Sequence, residues 1–177
     1  MSSLPYRIAV LCYLFNDRGE VLLLHRRRPP NRDLYSPIGG KLEQDVGESP
    51  TGCALREISE EAGLSLEPSD LHLTGIVSER GFGQEMHWLM FLYEATLPVR
   101  IERTEFEEGR LEWHDPEALS HLPLPETDRS VIWPLFREYR GRFFMAHIDC
   151  MGPHLRWRLE QPTEAAESGF RDTRPQD

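Results

Sequence analysis

The sequence predicts an α/β protein, and three observations lead there. Apolar runs with strand character recur at residues 6–14, 20–25, 71–78 and 87–95. Two segments with helical start and stop signals interrupt them, at 49–62 and 128–139. The chain has 177 residues, 39% hydrophobic and 10% aromatic, which suits a single globular domain with a substantial core.

Each element has a local reason. Residues 6–14 form a near-continuous apolar run, the signature of a strand buried on both faces. Asn16-Asp17-Arg18-Gly19 is turn chemistry, so the run at 20–25 is expected to pair with the first strand as a hairpin. Residues 26–36 are basic, proline-bearing and loop-like. Gly39-Gly40 then opens a glycine turn. Ser49 is a good N-cap, Pro50 suits the first helical position, and Gly63 is a natural helix stop. Gly81 and Gly83 mark a turn between the next two strands. Residues 100–112 are acid-rich without a clear period, and 110–114 suit a short strand. A short helix is expected at 116–122, before Pro123 and Pro125. The helix at 128–139 carries Val131, Ile132, Leu135 and Phe136. Residues 143–149 and 154–160 read as a C-terminal β-hairpin around Met151-Gly152-Pro153. Residues 161–177 are polar and expected to be a disordered tail, leaving one domain over 1–160.

Charge and cysteine content narrow the partners. Lys and Arg number 20 against 30 Asp and Glu, a formal charge of −10. That argues against a nucleic-acid duplex or an anionic membrane, and it permits divalent cations. No apolar stretch approaches the roughly 20 residues that span a bilayer. Cys12, Cys53 and Cys150 are odd in number and widely spaced, which suggests a reducing compartment, hence the cytoplasm.

The chemistry concentrates between Gly39 and Leu64. At about 100° per residue, Glu60 falls about 60° to one side of Glu57 and Glu61 about 40° to the other. Ile58, Ala62 and Leu55 share a separate face suited to the core. Three glutamates in one wedge repel by roughly 0.2–0.5 kcal/mol per pair. Taken alone, they would be a solvated acidic face. Arg56 beside Glu57, Glu48 before the helix and the glycine turn upstream point instead to an all-oxygen site for Mg²⁺ or Mn²⁺.

This stretch resembles the Nudix box, G-x5-E-x7-R-E-U-x-E-E-x-G-U with U aliphatic. From Glu48 through Arg56, Glu57, Ile58, Glu60, Glu61, Gly63 and Leu64 the pattern is complete. Upstream, seven residues separate Gly40 from Glu48 where the family has five, a two-residue insertion in the loop. The resemblance implies an α/β/α sandwich with a mixed β-sheet, to which the C-terminal β-hairpin is an addition. It implies Mg²⁺-dependent hydrolysis of a nucleoside di- or triphosphate. It assigns metal binding to Glu57, Glu60, Glu61 and the Gly40 carbonyl, with a further carboxylate from the acidic run, Glu107 or Glu108 over Glu105. Glu57, Glu48 and Arg56 form the catalytic group: Glu57 assists deprotonation of water, Glu48 supports it, and Arg56 orients the glutamates.

Subgroup features resemble MutT-like members. His25-Arg26-Arg27-Arg28 follows the second strand, where that subgroup carries arginines near the base. Asp128 precedes Val131-Ile132 as a purine-reading residue does there. Arg26, Arg27 and Asp128 are therefore candidate substrate contacts, against a surface turn for the arginines and helix capping for Asp128. The proline that marks ADP-ribose hydrolases is absent near Glu79. An oxidised purine triphosphate such as 8-oxo-dGTP is the leading substrate. ADP-ribose, dinucleoside polyphosphates, capped RNA ends and a non-catalytic ligand-binding role are the alternatives. A monomer or homodimer is expected.

Overall fold

The apolar run at the start of the chain becomes β1 (Tyr6–Tyr13), and its neighbours show why it is apolar throughout. Ala9 and Tyr13 point into one core with Val131, Ile132 and Phe136. Val10 and Cys12 point into a second core with Cys53, Ala54 and Ile58. β2 (Val21–Arg26) alternates in the same way, with Val21 and Leu23 in the first core and Leu22 and Leu24 in the second. Both strands are therefore sandwiched between helical layers. The computed structural model describes residues 4–29, 31–160 and 171–172.

The remaining strands are β3 (Tyr35–Ser36), β4 (Leu71–Phe82), β5 (Met86–Ala95), β6 (Glu105–Phe106), β7 (Gly109–His114), β8 (Phe144–Asp149), β9 (Arg156–Leu159) and β10 (Arg171–Asp172). They form a mixed sheet of order β1-β5-β4-β8-β9-β10 and a second sheet of order β3-β2-β7-β6. β1 runs parallel to β5, and β4 runs parallel to β8; β4–β5 and β8–β9 are antiparallel.

One helix layer is α1 (Pro50–Glu57), which continues into a π turn, Ile58–Ala62. The opposite layer is another π turn, Asp128–Ile132, leading into α2 (Trp133–Glu138). Tyr13 stacks on Phe136 at 3.9 Å. Arg140 lies 3.9 Å over the Phe15 ring and donates to Glu94 at 2.7 Å, which fastens the end of α2 to the strands. The α/β/α sandwich with a mixed sheet is as expected, and the hairpin β8–β9 extends that sheet at its edge.

Two expectations are corrected. The first two strands do not form a hairpin. Apart from the contact of Phe15 with Val21, β1 takes β5 as its partner and β2 takes β3 and β7. The turn at Asn16–Gly19 therefore carries the chain from one sheet to the other. The strand expected to stop at residue 78 runs on to Phe82. The expected tail, 161–177, lies outside the described residues except for Arg171–Asp172, which pair with β9.

Candidate active site

Local rules place the helix that carries the glutamates. The Ser49 hydroxyl accepts the Gly52 N–H at 3.0 Å, and Pro50 opens the first turn. Gly63, at φ 71°, closes the last turn by donating to the Ser59 carbonyl at 3.1 Å. Cys53, Ala54, Ile58 and Ala62 are buried against the strands, which turns the charged face toward the loop at Gly39–Gly40.

Arg56 is the hub of that face. Its Nε donates to Glu48 Oε1 at 2.8 Å and its Nη2 to Glu48 Oε2 at 3.0 Å. Its Nη1 donates to Glu57 Oε1 at 2.8 Å and to Glu60 Oε2 at 3.2 Å. Nη2 also reaches the Lys41 carbonyl at 3.2 Å, tying the helix to the glycine loop. This bidentate, charge-assisted grip holds the Glu48 carboxyl down to about 2.

The other glutamates sit in different surroundings. Glu61 is 4% exposed and accepts the Gly39 N–H at 3.3 Å. Burial, then the charge of Glu57, pushes its carboxyl up to about 8. Burial also raises Glu57, against the pull of Arg56. The Glu60 side chain is 60% exposed. Helical spacing brought the three together, and packing buried Glu61 while leaving Glu60 exposed.

The paired glycines have a steric reason. At Gly39, φ is 152°, and a Cβ would overlap the Val10 carbonyl. At Gly40 a Cβ would overlap the Glu57 carboxylate itself. The Gly40 carbonyl accepts the Val10 N–H at 2.9 Å. Only glycine lets the loop backbone come this close to the acid.

The two-residue insertion is drawn into a turn of its own that meets the site through Glu48. Gln44–Val46 form one 3₁₀ turn capped by Gly47 at φ 68°. Below it, the Glu43 N–H donates to Glu48 Oε2 at 2.8 Å, and the Glu48 N–H donates to the Glu43 carbonyl at 3.1 Å.

The arginine run and the acidic run meet each other. Arg26 pairs with Glu108 at 3.2 Å, Arg27 with Glu105, and Arg28 with Glu107 at 2.6 Å. Glu108 is the member whose charge acts on Glu57 and Glu61. Glu107 is 74% exposed and turned to Arg28. The structure thus brings Glu48, Arg56, Glu57, Glu60, Glu61, Gly40 and Glu108 together, with Arg26 beside them, and leaves Glu107 outside.

Asp128 lies in the π turn before α2, half-buried, and burial pushes its carboxyl up to about 7. Thr127, rather than Asp128, holds the cap position. Next to Asp128 lies Glu79, which the sequence reading missed. Its signal was two-residue alternation: Glu79 shares a strand face with buried Val77.

A divalent cation fits this donor set. Three glutamates surround one guanidinium and Glu61 lies on the next turn, all their donors are hard oxygens, and burial raises Glu57 and Glu61. Among the described residues no three such groups already converge on a point.

Fold and site together define a hydrolase of the Nudix class. The NUDIX domain family model matches residues 5–137, so the chain belongs to the Nudix family. Its class of reaction is hydrolysis of pyrophosphate bonds. The chain is 31% identical to the Nudix hydrolase YvcI of Bacillus subtilis over 122 residues, 68% of this chain and 73% of that one. It is 30% identical to an RNA pyrophosphohydrolase of Roseobacter denitrificans over 174 residues, 88% of this chain and 97% of that one. The crystal structure of a mutator MutT protein from Bacillus halodurans superimposes with a TM-score of 0.69 at 26% identity, covering 88% of this chain and 99% of the other. No helix among the described residues is long and apolar enough to cross a membrane.

Proposed function

We propose that this chain hydrolyses the pyrophosphate linkage of a nucleoside triphosphate with the help of Mg²⁺, Mn²⁺ being able to substitute, and that an oxidised purine nucleotide such as 8-oxo-dGTP is the leading substrate. The observation that carries this reading is Arg56 gripping Glu48 while it holds Glu57 and Glu60 on one side of the helix. Glu57, Glu60 and Glu61 would hold the ion, with the Gly40 carbonyl and Glu108 beside them. When bound, a divalent cation supplies charge neutralisation at the phosphate oxygens and a more acidic water. Glu57, raised by burial, receives a proton from the attacking water. Arg56 and Glu48 keep Glu57 in place. Arg26 and Arg27, which pair with Glu108 and Glu105, would receive phosphate charge in exchange for those carboxylates. Asp128 meets the base. A reducing cytoplasm fits three cysteines that are all free.

A second reading is the 5′-triphosphate end of RNA. It is favoured by the likeness to an RNA pyrophosphohydrolase over 88% of this chain. Phosphate and pyrophosphate release with Mg²⁺ separates the two readings, using 8-oxo-dGTP, canonical triphosphates, ADP-ribose and a 5′-triphosphorylated oligonucleotide. Mg²⁺-dependent pyrophosphate release from a free triphosphate, lost in Glu57→Gln, supports the first. Release from RNA alone moves the assignment to the second. Folded protein that cleaves none of them overturns both.

A further inference from the structure

Glu79 is a buried acid that the site described above does not use. It is 2% exposed, and its Oε1 has no hydrogen-bond partner. Leaving a buried polar oxygen without a partner is costly, so an orphan of this kind calls for an explanation.

Its surroundings are specific. In the register of β4 with β5, Glu79 stands beside Trp88, and with β8 it stands beside Ile148. The turn before α2 contributes Thr127, whose hydroxyl bonds Glu79, and Asp128, whose charge acts on it. The Asp128 charge raises Glu79, and the Glu79 charge in turn helps raise the Cys150 thiol. Arg80, the next residue along the strand, faces the other way and pairs with Asp149. The indole of Trp88 carries the Lys41 ammonium 6.0 Å from its ring centroid. The Lys41 carbonyl in turn accepts from Arg56. Lys41 and Trp88 therefore link the loop that Arg56 holds to the strand position of Glu79.

We propose that Glu79 is a specificity-determining residue of a base-reading subsite, set behind Asp128 and beside Trp88, and that this subsite takes the edge of a 2-amino-6-oxopurine. The inference rests on the nucleotide reading above and names the second group that reads the base. Asp128 is half-buried, whereas Glu79 is 2% exposed.

The chemistry follows from two acids that cannot both ionise at low cost. Glu79 is raised to about 8, by burial first and by the Asp128 charge second. When the pair shares one proton, a protonated Glu79 donates one hydrogen bond and an ionised Asp128 accepts two. A 2-amino-6-oxopurine offers the complement on one edge, an oxygen acceptor next to two N–H donors. Adenine presents an amino donor at position 6 and an acceptor at N1, and cytosine presents one donor beside two acceptors, so neither matches the pair.

Equilibrium binding of nucleoside monophosphates tests this without any turnover. Calorimetry compares GMP, IMP, AMP and CMP on the wild-type chain, Glu79→Leu and Glu79→Gln. The wild type is expected to prefer GMP, with IMP weaker because it lacks the 2-amino group. Glu79→Leu is expected to lose about tenfold to hundredfold for GMP and IMP and little for CMP. Glu79→Gln keeps a donor and is expected to retain most of the preference. Leucine fills the buried volume without an orphan oxygen, so melting at or above the wild-type temperature confirms that the variant is folded. An equal loss for all four nucleotides, no loss, or a wild type that binds none of them overturns the inference. A chain that binds GMP in the expected pattern yet hydrolyses no triphosphate leaves the subsite standing and removes the proposed activity.

Discussion

Arg56 and Glu48 form a two-pronged ion pair, Nε to Oε1 at 2.8 Å and Nη2 to Oε2 at 3.0 Å, across the junction of loop and helix. The planar fork of arginine matches a carboxylate in a way that an ammonium cannot. Arg56→Lys therefore keeps the charge and loses the geometry. Expected is a stability loss of about 1–3 kcal/mol in urea unfolding, together with a larger fall in turnover, because Glu57 and Glu60 lose the same anchor. An Arg56→Lys chain with unchanged turnover would contradict the positioning role.

Glu57→Gln keeps the size of the side chain and removes the base. Turnover is expected to fall by at least about 100-fold, with the circular dichroism spectrum intact. Mg²⁺ should raise the melting temperature of the wild type, since an ion that binds only the folded state stabilises it. The same titration on Glu57→Gln should give a smaller rise. Equal rises would place the ion elsewhere.

Gly40→Ala adds one methyl group where the Glu57 carboxylate lies. Overpacking of this kind costs about 1–3 kcal/mol. Activity should fall further than stability, because the displaced group is the proposed base. Gly47→Ala serves as the contrast: no atom lies within 4 Å of its added methyl, so only the positive φ is strained. A pair of variants with equal loss of activity would remove the special role of Gly40.

Glu79 and Asp128 make stability depend on pH with a defined sign. Both carboxyls are raised in the folded chain, from ordinary values of 4.5 and 3.8 to about 8 and about 7. The folded state holds protons that the unfolded state releases. Their contribution is fully present below about pH 4 and is lost as pH rises toward 8. Stability should decline across that window, and Glu79→Gln should flatten the decline and melt higher at pH 8. A decline as steep in the variant as in the wild type would mean that other groups set it.

Much of this was legible in the sequence. The spacing from Glu48 to Leu64 contains the helix, its caps and the glutamate face, because all of these are local. The partner of β1 was not legible, since turn chemistry at Asn16–Gly19 fixes a reversal but not which sheet receives the returning strand. Glu79 was missed for a related reason. A charged pair, Glu79-Arg80, reads as the end of a strand, whereas only tertiary packing shows one of them turned inward. The arginine and acidic runs were read as separate candidates, although their mutual pairing depends on β2 and β7 lying side by side.

The 3₁₀ turn at Gln44–Val46 leaves this enzyme with an attachment point. Its two ends are clamped by reciprocal bonds between Glu43 and Glu48, and Val46 at its tip is 74% exposed. Chain length above that clamp is uncoupled from the geometry below it. Each doubling of such a loop costs only about 0.6 kcal/mol. A fluorophore-bearing or affinity peptide spliced between Asp45 and Val46 would ride beside the catalytic carboxylates without moving them, a reporter built into the rim of the site.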